Sequence, residues 1–163
     1  MESKIPKRKN LRIKEYNYSE EGFYFITICT KNKECILSKI NNNKENNIPE
    51  LLLYKYGKYV KKYITIINQT YKNVKIENFV IMPNHIHFIC HVYKTTQTIS
   101  PANSKVPSLI STLKRFVNKE CGYNIWQRNY YEHIIRNENE YIKILEYIEN
   151  NPYKWKKDIY FIE

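Results

Sequence analysis

Two histidines separated by one residue, His85 and His87, are the side chains of this sequence best suited to hold a metal ion. They lie in an apolar, strand-like run, and alternate residues of an extended chain point to the same face, with backbones roughly 6.6 Å apart. Two neutral imidazoles so placed can bind one divalent ion, with a third nitrogen or oxygen ligand normally expected. The same spacing also fits two half-buried polar residues without a metal, so both interpretations stay open.

A tyrosine and an asparagine near the end of the chain, Tyr147 and Asn151, are the candidate partners of the histidines. Four residues apart on a predicted helix, they would share one face, one turn apart. A phenol can act as a nucleophile, and an amide oxygen suits a hard ion such as Mg²⁺ or Mn²⁺. The remaining histidines are poorer ligands, because His91 lies roughly 13 Å along the strand from His87 and His133 belongs to another element.

The composition indicates a basic protein that can form a core of its own. The 163 residues, 42% of them hydrophobic, fit one domain, and the net charge of +11 predicts a polyanionic partner, with nucleic acid the first candidate. The four cysteines show no paired short spacing, which favours reduced thiols over a disulfide framework. No apolar run approaches the ~20 residues of a membrane helix, so we expect a cytoplasmic protein with no membrane partner.

The apolar periodicity predicts an α+β fold that would position these side chains. Strands are predicted at 23–30, 74–82, 85–92 and 130–135, helices at 49–70, 107–122 and 137–152, and polar loops at 41–47 and 95–106. Pro83-Asn84 predicts a tight turn, so two strands form a hairpin with the histidines at its mouth. The order of elements is typical of a ferredoxin-like antiparallel sheet with helices packed on it. Residues 1–163 are expected to form a single domain in which residues 1–15 are a basic N-terminal arm.

Five short segments together carry a resemblance to a known family. They are KRK at 7–9, GFYFIT at 22–27, MPNHIHF at 82–88, WQR at 126–128 and YIENNP at 147–152. This combination, which spans nearly the whole chain, resembles the IS200-like transposases of the HUH endonuclease type. More narrowly, it resembles the REP-associated tyrosine transposases.

The resemblance implies a metal-dependent enzyme that cleaves and rejoins single-stranded DNA beside hairpins, either REP-like or transposon-end palindromes. Transferred position by position, His85 and His87 are metal ligands and Tyr147 is the nucleophile that forms a 5′-phosphotyrosine. Asn151 is the implied third ligand of Mg²⁺ or Mn²⁺, although the wider family often has glutamine there. A phenol ionises more easily than an alcohol and later leaves readily, so rejoining needs no ATP. A chain with only three glycines and no phosphate-binding glycine loop agrees with this.

The basic arm, the second helix and the loop after it are the predicted DNA-binding regions, in which cations contact phosphates and aromatic rings stack on unpaired bases. The candidate residues are Lys7, Arg8, Lys9, Arg12, Lys114, Arg115, Lys119, Trp126 and Arg128.

Two other functions compete with the transposase interpretation. A histidine-triad nucleotide hydrolase would need a third histidine at position 89, which is Ile89, so that class is disfavoured. A catalytically idle, domesticated nucleic-acid-binding protein of the same fold stays open, because sequence does not show turnover. Monomer and homodimer are both compatible with the sequence.

Overall fold

The computed structural model describes residues 21–42, 48–94 and 105–162, and its elements bear out the α+β prediction. The strands and helices are β1 (Gly22–Cys29), β2 (Ser38–Asn42), β3 (Pro49–Leu53), α1 (Lys55–Thr70), β4 (Val74–Ile81), β5 (His85–Val92), α2 (Lys105–Cys121), β6 (Tyr131–Ile135) and α3 (Glu138–Asn150). A 3₁₀ segment, Pro152–Lys157, follows α3. The predicted basic arm at 1–15 and parts of both predicted polar loops, 43–47 and 95–104, lie outside the described residues.

Four strands form an antiparallel sheet in the order β4-β5-β1-β6. Without β2 and β3, the chain order β1-α1-β4-β5-α2-β6 is the ferredoxin-like order predicted from the sequence. β4 and β5 form the predicted hairpin around Pro83 and Asn84, and the hairpin places His85 at the first position of β5.

The two faces of the sheet carry different layers of helix. Residues of β1 and β5 with even numbers pack with α1 and α2 in the larger hydrophobic cluster, which includes Ile26, Phe88 and Leu113. Residues with odd numbers, such as Phe25 and Ile89, pack with α3 in a smaller cluster. Because side chains alternate along a strand, both histidines of β5 face the α3 layer.

The prediction of one helix from 49 to 70 is wrong at its start. Residues Pro49–Leu53 form β3, which pairs with β2 in a separate hairpin. The exposed and half-buried residues of β3 alternate, a period of two, and proline is tolerated at the first residue of a strand. The helix itself begins at Lys55 and buries Val60, Ile64 and Ile67 at helical spacing.

The other predicted helices agree with the structure to within a few residues. α2 begins at Lys105, two residues before the predicted start, and α3 begins at Glu138 after Asn137, whose side chain accepts a hydrogen bond from the Glu140 N–H. This is an N-cap of the expected type. Within the described residues, none of the helices combines the length and apolar character needed to cross a bilayer.

Candidate active site

The two histidines lie side by side under the α3 layer. Their ring centroids are 4.4 Å apart, and His85 and His87 are 0% and 1% exposed. β5 pairs with β1, which places Cys29 opposite His85 and Thr27 opposite His87. The predicted shared face is therefore confirmed, and both imidazoles are buried in a central strand rather than on the surface.

The proton of His85 is placed by its neighbour Asn84. The Asn84 amide nitrogen donates to the carbonyls of Lys33 (3.1 Å) and Tyr160 (2.8 Å), so the amide oxygen must be the atom that faces the ring. His85 Nδ1, 2.9 Å from that oxygen, therefore carries the hydrogen. Nε2 of His85 is left with a free lone pair, and it has no hydrogen-bond partner among the described residues.

Burial keeps both rings neutral. Desolvation lowers the pKa of His85 from 6.5 to about 4, even though Asp158 and the Asn151 side chain raise it. Desolvation, and then the neighbouring His85, hold the pKa of His87 well below its usual value. Neutral imidazole is the form that binds metal ions, so the fold supplies both rings in the binding form at physiological pH.

His87 connects the sheet to α3. Its Nδ1 lies 2.7 Å from Thr27 Oγ1, and its Nε2 lies 3.3 Å from the Tyr147 hydroxyl. With Nδ1–H donating to Thr27, Nε2 accepts the hydrogen of the phenol, and both ring atoms are satisfied. A metal ion at Nε2 would use the same lone pair, so the ion and the phenol hydrogen compete for it.

Tyr147 reaches the histidines from α3 while staying accessible. It is 41% exposed, and its ring meets Phe25 edge to face at 5.9 Å. Burial of the hydroxyl end, followed by the charge of Asp158, raises the pKa of Tyr147 to about 12. The phenol is therefore protonated near neutral pH in the ion-free protein.

Asn151 lies one turn beyond Tyr147, at the end of α3. It is 2% exposed, and its amide oxygen makes no hydrogen bond within the described part of the chain. The side chain nevertheless raises the pKa of His85 and lowers that of Tyr147, so it acts on both groups. The predicted spacing of four residues thus brings the phenol and the amide to one place.

Sequence reasoning missed Asp158, which the structure adds to the cluster. Its Oδ2 lies 4.0 Å from His85 Nε2, and its side chain is 3% exposed. In the described residues, one ligand atom from each of His85, His87 and Asp158 lies within 4.8 Å of the others. Asp158 is the one acidic residue between Glu149 and Glu163 in the sequence, but no motif ties it to the histidines.

Tyr160 was also missed, and it covers the site from the C-terminal side. Its ring centroid is 4.6 Å from that of His85, and its backbone carbonyl accepts from Asn84. Trp155, in the preceding 3₁₀ segment, lies 6.0 Å from His85. The segment after α3 is therefore a wall of the site, whereas the site residues predicted from the sequence end at Asn151.

The donor set fits a divalent ion. Two neutral imidazoles, an amide oxygen and a carboxylate are ligands that Mn²⁺ and similar ions accept. The buried lone pair of His85 Nε2 and the buried Asn151 oxygen are both without a hydrogen-bond donor in the described residues, which is costly unless a cation is bound. The group of His85, His87 and Asp158 is thus compatible with metal binding.

The remaining two histidines have carboxylate partners of their own. His91 Nδ1 is 3.1 Å from Glu77, and His133 Nε2 is 2.7 Å from Glu140. His91 also stacks on Phe23. These contacts agree with the expectation that neither belongs to the metal cluster.

The predicted DNA-binding cations differ in their surroundings. Arg115, Lys119 and Arg128 are exposed, whereas Lys114 donates to the carbonyls of Gln127, Arg128 and Asn129, and burial lowers its pKa to about 8. Lys114 is therefore engaged in holding the loop after α2. Lys7, Arg8, Lys9 and Arg12 lie outside the described residues.

The prediction that Trp126 stacks on bases is corrected by its burial. Trp126 is 2% exposed and belongs to the larger hydrophobic cluster. Its backbone forms a bridge with Thr30, just beyond β1. A ring so placed fills the core and offers no face to DNA.

Comparisons with known proteins agree with the fold. A relative from Haemophilus influenzae described as an uncharacterized protein is 38% identical over 98% of this chain and 96% of its own. The "REP-associated tyrosine transposase" of Escherichia coli K12 is 28% identical over 87% of this chain and 74% of its own. A solved REP-associated tyrosine transposase bound to a REP hairpin shares the fold, with TM-score 0.62 and 22% identity, and the match covers 88% of this chain and 73% of that one. The family described as "Transposase IS200 like" matches residues 23–151, and the chain therefore belongs to the IS200-like transposase family.

Proposed function

We propose that this transposase-family protein cleaves and rejoins single-stranded DNA at sites flanking hairpins, with Tyr147 forming a 5′-phosphotyrosine. One observation carries the proposal: the Tyr147 hydroxyl lies 3.3 Å from Nε2 of the buried His87, beside His85 and Asn151. A nucleophile next to unpaired metal-ligand atoms is the arrangement that phosphoryl transfer requires.

His85, His87 and Asn151 are the proposed ligands of Mg²⁺ or Mn²⁺. Two buried atoms support this assignment: His85 Nε2 and Asn151 Oδ1 have no hydrogen-bond partner among the described residues. A divalent ion held there would neutralise charge on the phosphate oxygens and lower the barrier to attack on phosphorus. The protein's part is to hold two neutral imidazoles in position, which Asn84 and Thr27 do through the ring Nδ1 atoms.

Cleavage exchanges one phosphate ester for another. The Tyr147 oxygen forms a bond to phosphorus while the bond to the DNA 3′ oxygen breaks. The phenol loses its proton, the 3′ oxygen gains one, and the products are a 5′-phosphotyrosine and a free 3′-hydroxyl. Attack by a 3′-hydroxyl on the adduct reverses these changes and restores the phenol, so the bond energy is conserved.

The phenol must be positioned and deprotonated. Its edge-to-face contact with Phe25 holds the ring on the site side of α3, and this contact does not use the His87 Nε2 lone pair that a metal ion would take. Because its pKa is raised to about 12 without an ion, ionisation has to be assisted by positive charge at the histidines. Tyr147 and both histidines belong to one chain, which supports catalysis in cis, in a monomer or in each subunit of a homodimer.

Hairpin DNA is the proposed substrate and partner, and the REP hairpin bound by the solved family member supports this class. The exposed Arg128 lies three residues before β6, whose first residue, Tyr131, pairs with Thr27 beside His87. Arg128 is therefore placed to contact phosphates near the cleavage site. Arg115 and Lys119 lie on α2, in the helix layer on the other face of the sheet, and would contact DNA that passes around the sheet edge.

The catalytically idle DNA-binding alternative is favoured by one observation. His85 and His87 are almost fully covered, with Tyr160 and Trp155 close to the His85 ring. In this arrangement the imidazoles offer little surface to a phosphate. DNA binding without strand cleavage would then be the whole activity.

A covalent-adduct assay tests the proposed function. The protein is incubated with end-labelled single-stranded hairpin DNAs and Mn²⁺, and adducts that resist denaturation are resolved by gel electrophoresis. We expect an adduct that disappears with chelator and in Tyr147→Phe, because the phenol oxygen is lost while the ring contacts are kept. The matched control is Tyr153→Phe, since Tyr153 is an exposed tyrosine six residues away and outside the cluster. Hairpin binding with no adduct would support the idle alternative.

A further inference from the structure

A carboxylate from the C-terminal segment faces the histidines. Asp158 follows the Pro152–Lys157 3₁₀ segment, and its N–H donates to the Trp155 carbonyl at 3.0 Å. Its Oδ1 accepts from the Tyr160 N–H at 2.8 Å. Its other oxygen, Oδ2, faces His85 Nε2 at 4.0 Å, so two local hydrogen bonds aim the side chain at the histidine.

The segment that carries Asp158 is held on both sides. Trp155 packs against the same smaller hydrophobic cluster as Ile40 and Leu51 of the β2–β3 hairpin, β3 contacts the 3₁₀ segment, and the Trp155 ring also meets Phe161 at 5.2 Å. On the other side, the Tyr160 carbonyl accepts from Asn84. The position of the carboxylate is thus set by packing and by hydrogen bonds made elsewhere than at the histidine.

The facing atoms of Asp158 and His85 are both acceptors. Asn84 fixes the hydrogen of His85 on Nδ1, so Nε2 presents a lone pair, and a carboxylate oxygen has no proton to give. Two acceptors buried together repel each other unless a proton or a metal ion lies between them. Among the described residues no donor lies between the two atoms, because His85 Nε2 has no hydrogen-bond partner there.

Nearby groups do not supply a positive charge between the two acceptor atoms of Asp158 and His85. Lys33 contacts the C-terminal segment, but its Nζ donates to the Ile159 carbonyl at 3.2 Å and lies over the Tyr160 ring. Asn151 adds a further buried oxygen without a donor in the described residues. One ligand atom from each of His85, His87 and Asp158 lies within 4.8 Å of the other two, and the His85–Asp158 pair is 4.0 Å apart. Atoms bound to one ion at about 2.1–2.2 Å are ~3–4.4 Å apart, so at most small side-chain shifts would close the site.

We propose that Asp158 is a ligand of the divalent ion, and that the site consists of His85, His87, Asn151 and this carboxylate. The inference rests on the proposed function for the identity of the site as a catalytic metal centre. It makes the C-terminal segment part of the catalytic machinery, because the ion ties Asp158 to β5. The charge of the carboxylate also offsets one of the two charges of the ion, which favours its retention in a buried site.

Binding of Mn²⁺ alone tests this assignment without any reaction. Free Mn²⁺ is followed by electron paramagnetic resonance as it is titrated into wild-type protein and into Asp158→Asn, which keeps the shape of the side chain and removes its charge. We expect the dissociation constant of Asp158→Asn to rise at least ~10-fold, as for the loss of a metal-site residue. Asp158→Glu, which keeps the charge on a longer side chain, should lie between the two.

The matched control is Glu149→Gln, which removes an exposed carboxylate from α3. It should bind Mn²⁺ like the wild type, and circular dichroism of Asp158→Asn should match the wild-type spectrum. Equal Mn²⁺ affinity in Asp158→Asn and wild type, or no Mn²⁺ binding by the wild type at millimolar concentration, would overturn the assignment.

The same proteins in the adduct assay separate this inference from the proposed function. An adduct in the wild type together with unchanged Mn²⁺ affinity in Asp158→Asn would remove Asp158 from the site and leave the function standing. Asp158-dependent Mn²⁺ binding without any adduct would keep the ligand assignment and remove the proposed strand cleavage.

Discussion

The imidazole of His85 is held in the form that binds metal ions by residues outside the proposed ligand set. Asn84 fixes the ring hydrogen on Nδ1, and complete burial removes the solvent that would stabilise a charged ring. The consequence is a neutral ring whose bare Nε2 is directed into the cluster. The cost of this arrangement falls on the ion-free protein, which buries a lone pair without a donor in the described residues.

The burial of both rings predicts how the stability of the ion-free protein depends on pH. The pKa of His85 is about 4 when folded and near 6.5 when unfolded, and that of His87 is also lowered. Between these values the unfolded chain binds more protons, so stability falls as the pH decreases from about 6.5 towards 4. We expect the free energy of unfolding of chelator-treated protein to fall by more than ~1 kcal/mol from pH 7 to pH 5.

Urea denaturation at the two pH values measures this expected fall in the free energy of unfolding. His85→Gln, which has no titrating ring at that position, should show a smaller loss. Identical pH slopes in His85→Gln and wild type would contradict the lowered pKa of His85.

At the residue scale, sequence predicted the members of the site that belong to motifs and missed those that do not. The histidines alternate on a strand and Tyr147 and Asn151 are one helical turn apart, so local periodicity brings each pair together. Asp158 lies seven residues beyond Asn151, directly after a 3₁₀ segment of mostly cationic and aromatic residues, and only tertiary packing brings it to β5. The burial of Trp126 also results from tertiary packing, which amino-acid composition does not reveal.

At the element scale, the β2–β3 hairpin is the part of the fold that sequence reasoning did not predict. Its strands flank an asparagine-rich stretch that resembles a plain polar loop, and the leucines of Pro49–Leu53 also continue the helical period of α1. The hairpin matters for the site because Ile40 and Leu51 pack against the same cluster as Trp155, which precedes Asp158, and β3 contacts the 3₁₀ segment. An inserted element therefore positions the C-terminal wall.

Gly57 gives a test of how closely α1 approaches Leu37, the residue before β2. A Cβ at Gly57 would lie 2.1 Å from the carbonyl oxygen of Leu37, which also accepts from the Tyr54 N–H. Alanine normally stabilises a helix by ~1 kcal/mol relative to glycine, but here the backbone must move. We expect Gly57→Ala to lower the free energy of unfolding by about 1–3 kcal/mol, as overpacking does.

Chemical denaturation measures the effect of Gly57→Ala. Lys58→Ala is the control, because Lys58 is exposed on the same helix and its replacement should change stability by less than ~0.5 kcal/mol. Stabilisation by Gly57→Ala would mean that α1 does not contact Leu37 this closely.

At the scale of the whole molecule, the net charge of +11 and the position of the site at one end of the sheet together predict where DNA binds. His85 begins β5 at one end, whereas Lys72 precedes β4 at the other end, where Val74 pairs with Val92. Arg128 lies beside β6 at the histidine end. DNA held for cleavage should therefore contact Arg128 and not Lys72.

The salt dependence of hairpin binding distinguishes these two cations. Each phosphate contact contributes about 0.7–0.9 to the slope of log K against log salt concentration. Arg128→Ala should reduce the magnitude of the slope by about one contact, whereas Lys72→Ala should leave it unchanged. Fluorescence anisotropy of a labelled single-stranded hairpin between 50 and 200 mM salt, as a rough range, measures both slopes. Equal slopes in Arg128→Ala and wild type would move the DNA away from β6.

The most direct test of the whole account is to identify the residue that carries DNA in the covalent adduct. The adduct is digested with nuclease and trypsin, and the modified peptide is sequenced by mass spectrometry. If Tyr147 is the nucleophile, we expect a nucleotide phosphate on Tyr147, in the tryptic peptide 144–154, with Tyr153 of the same peptide unmodified. A nucleotide on Tyr160, Tyr131 or any other tyrosine would contradict the assignment of Tyr147 as the nucleophile.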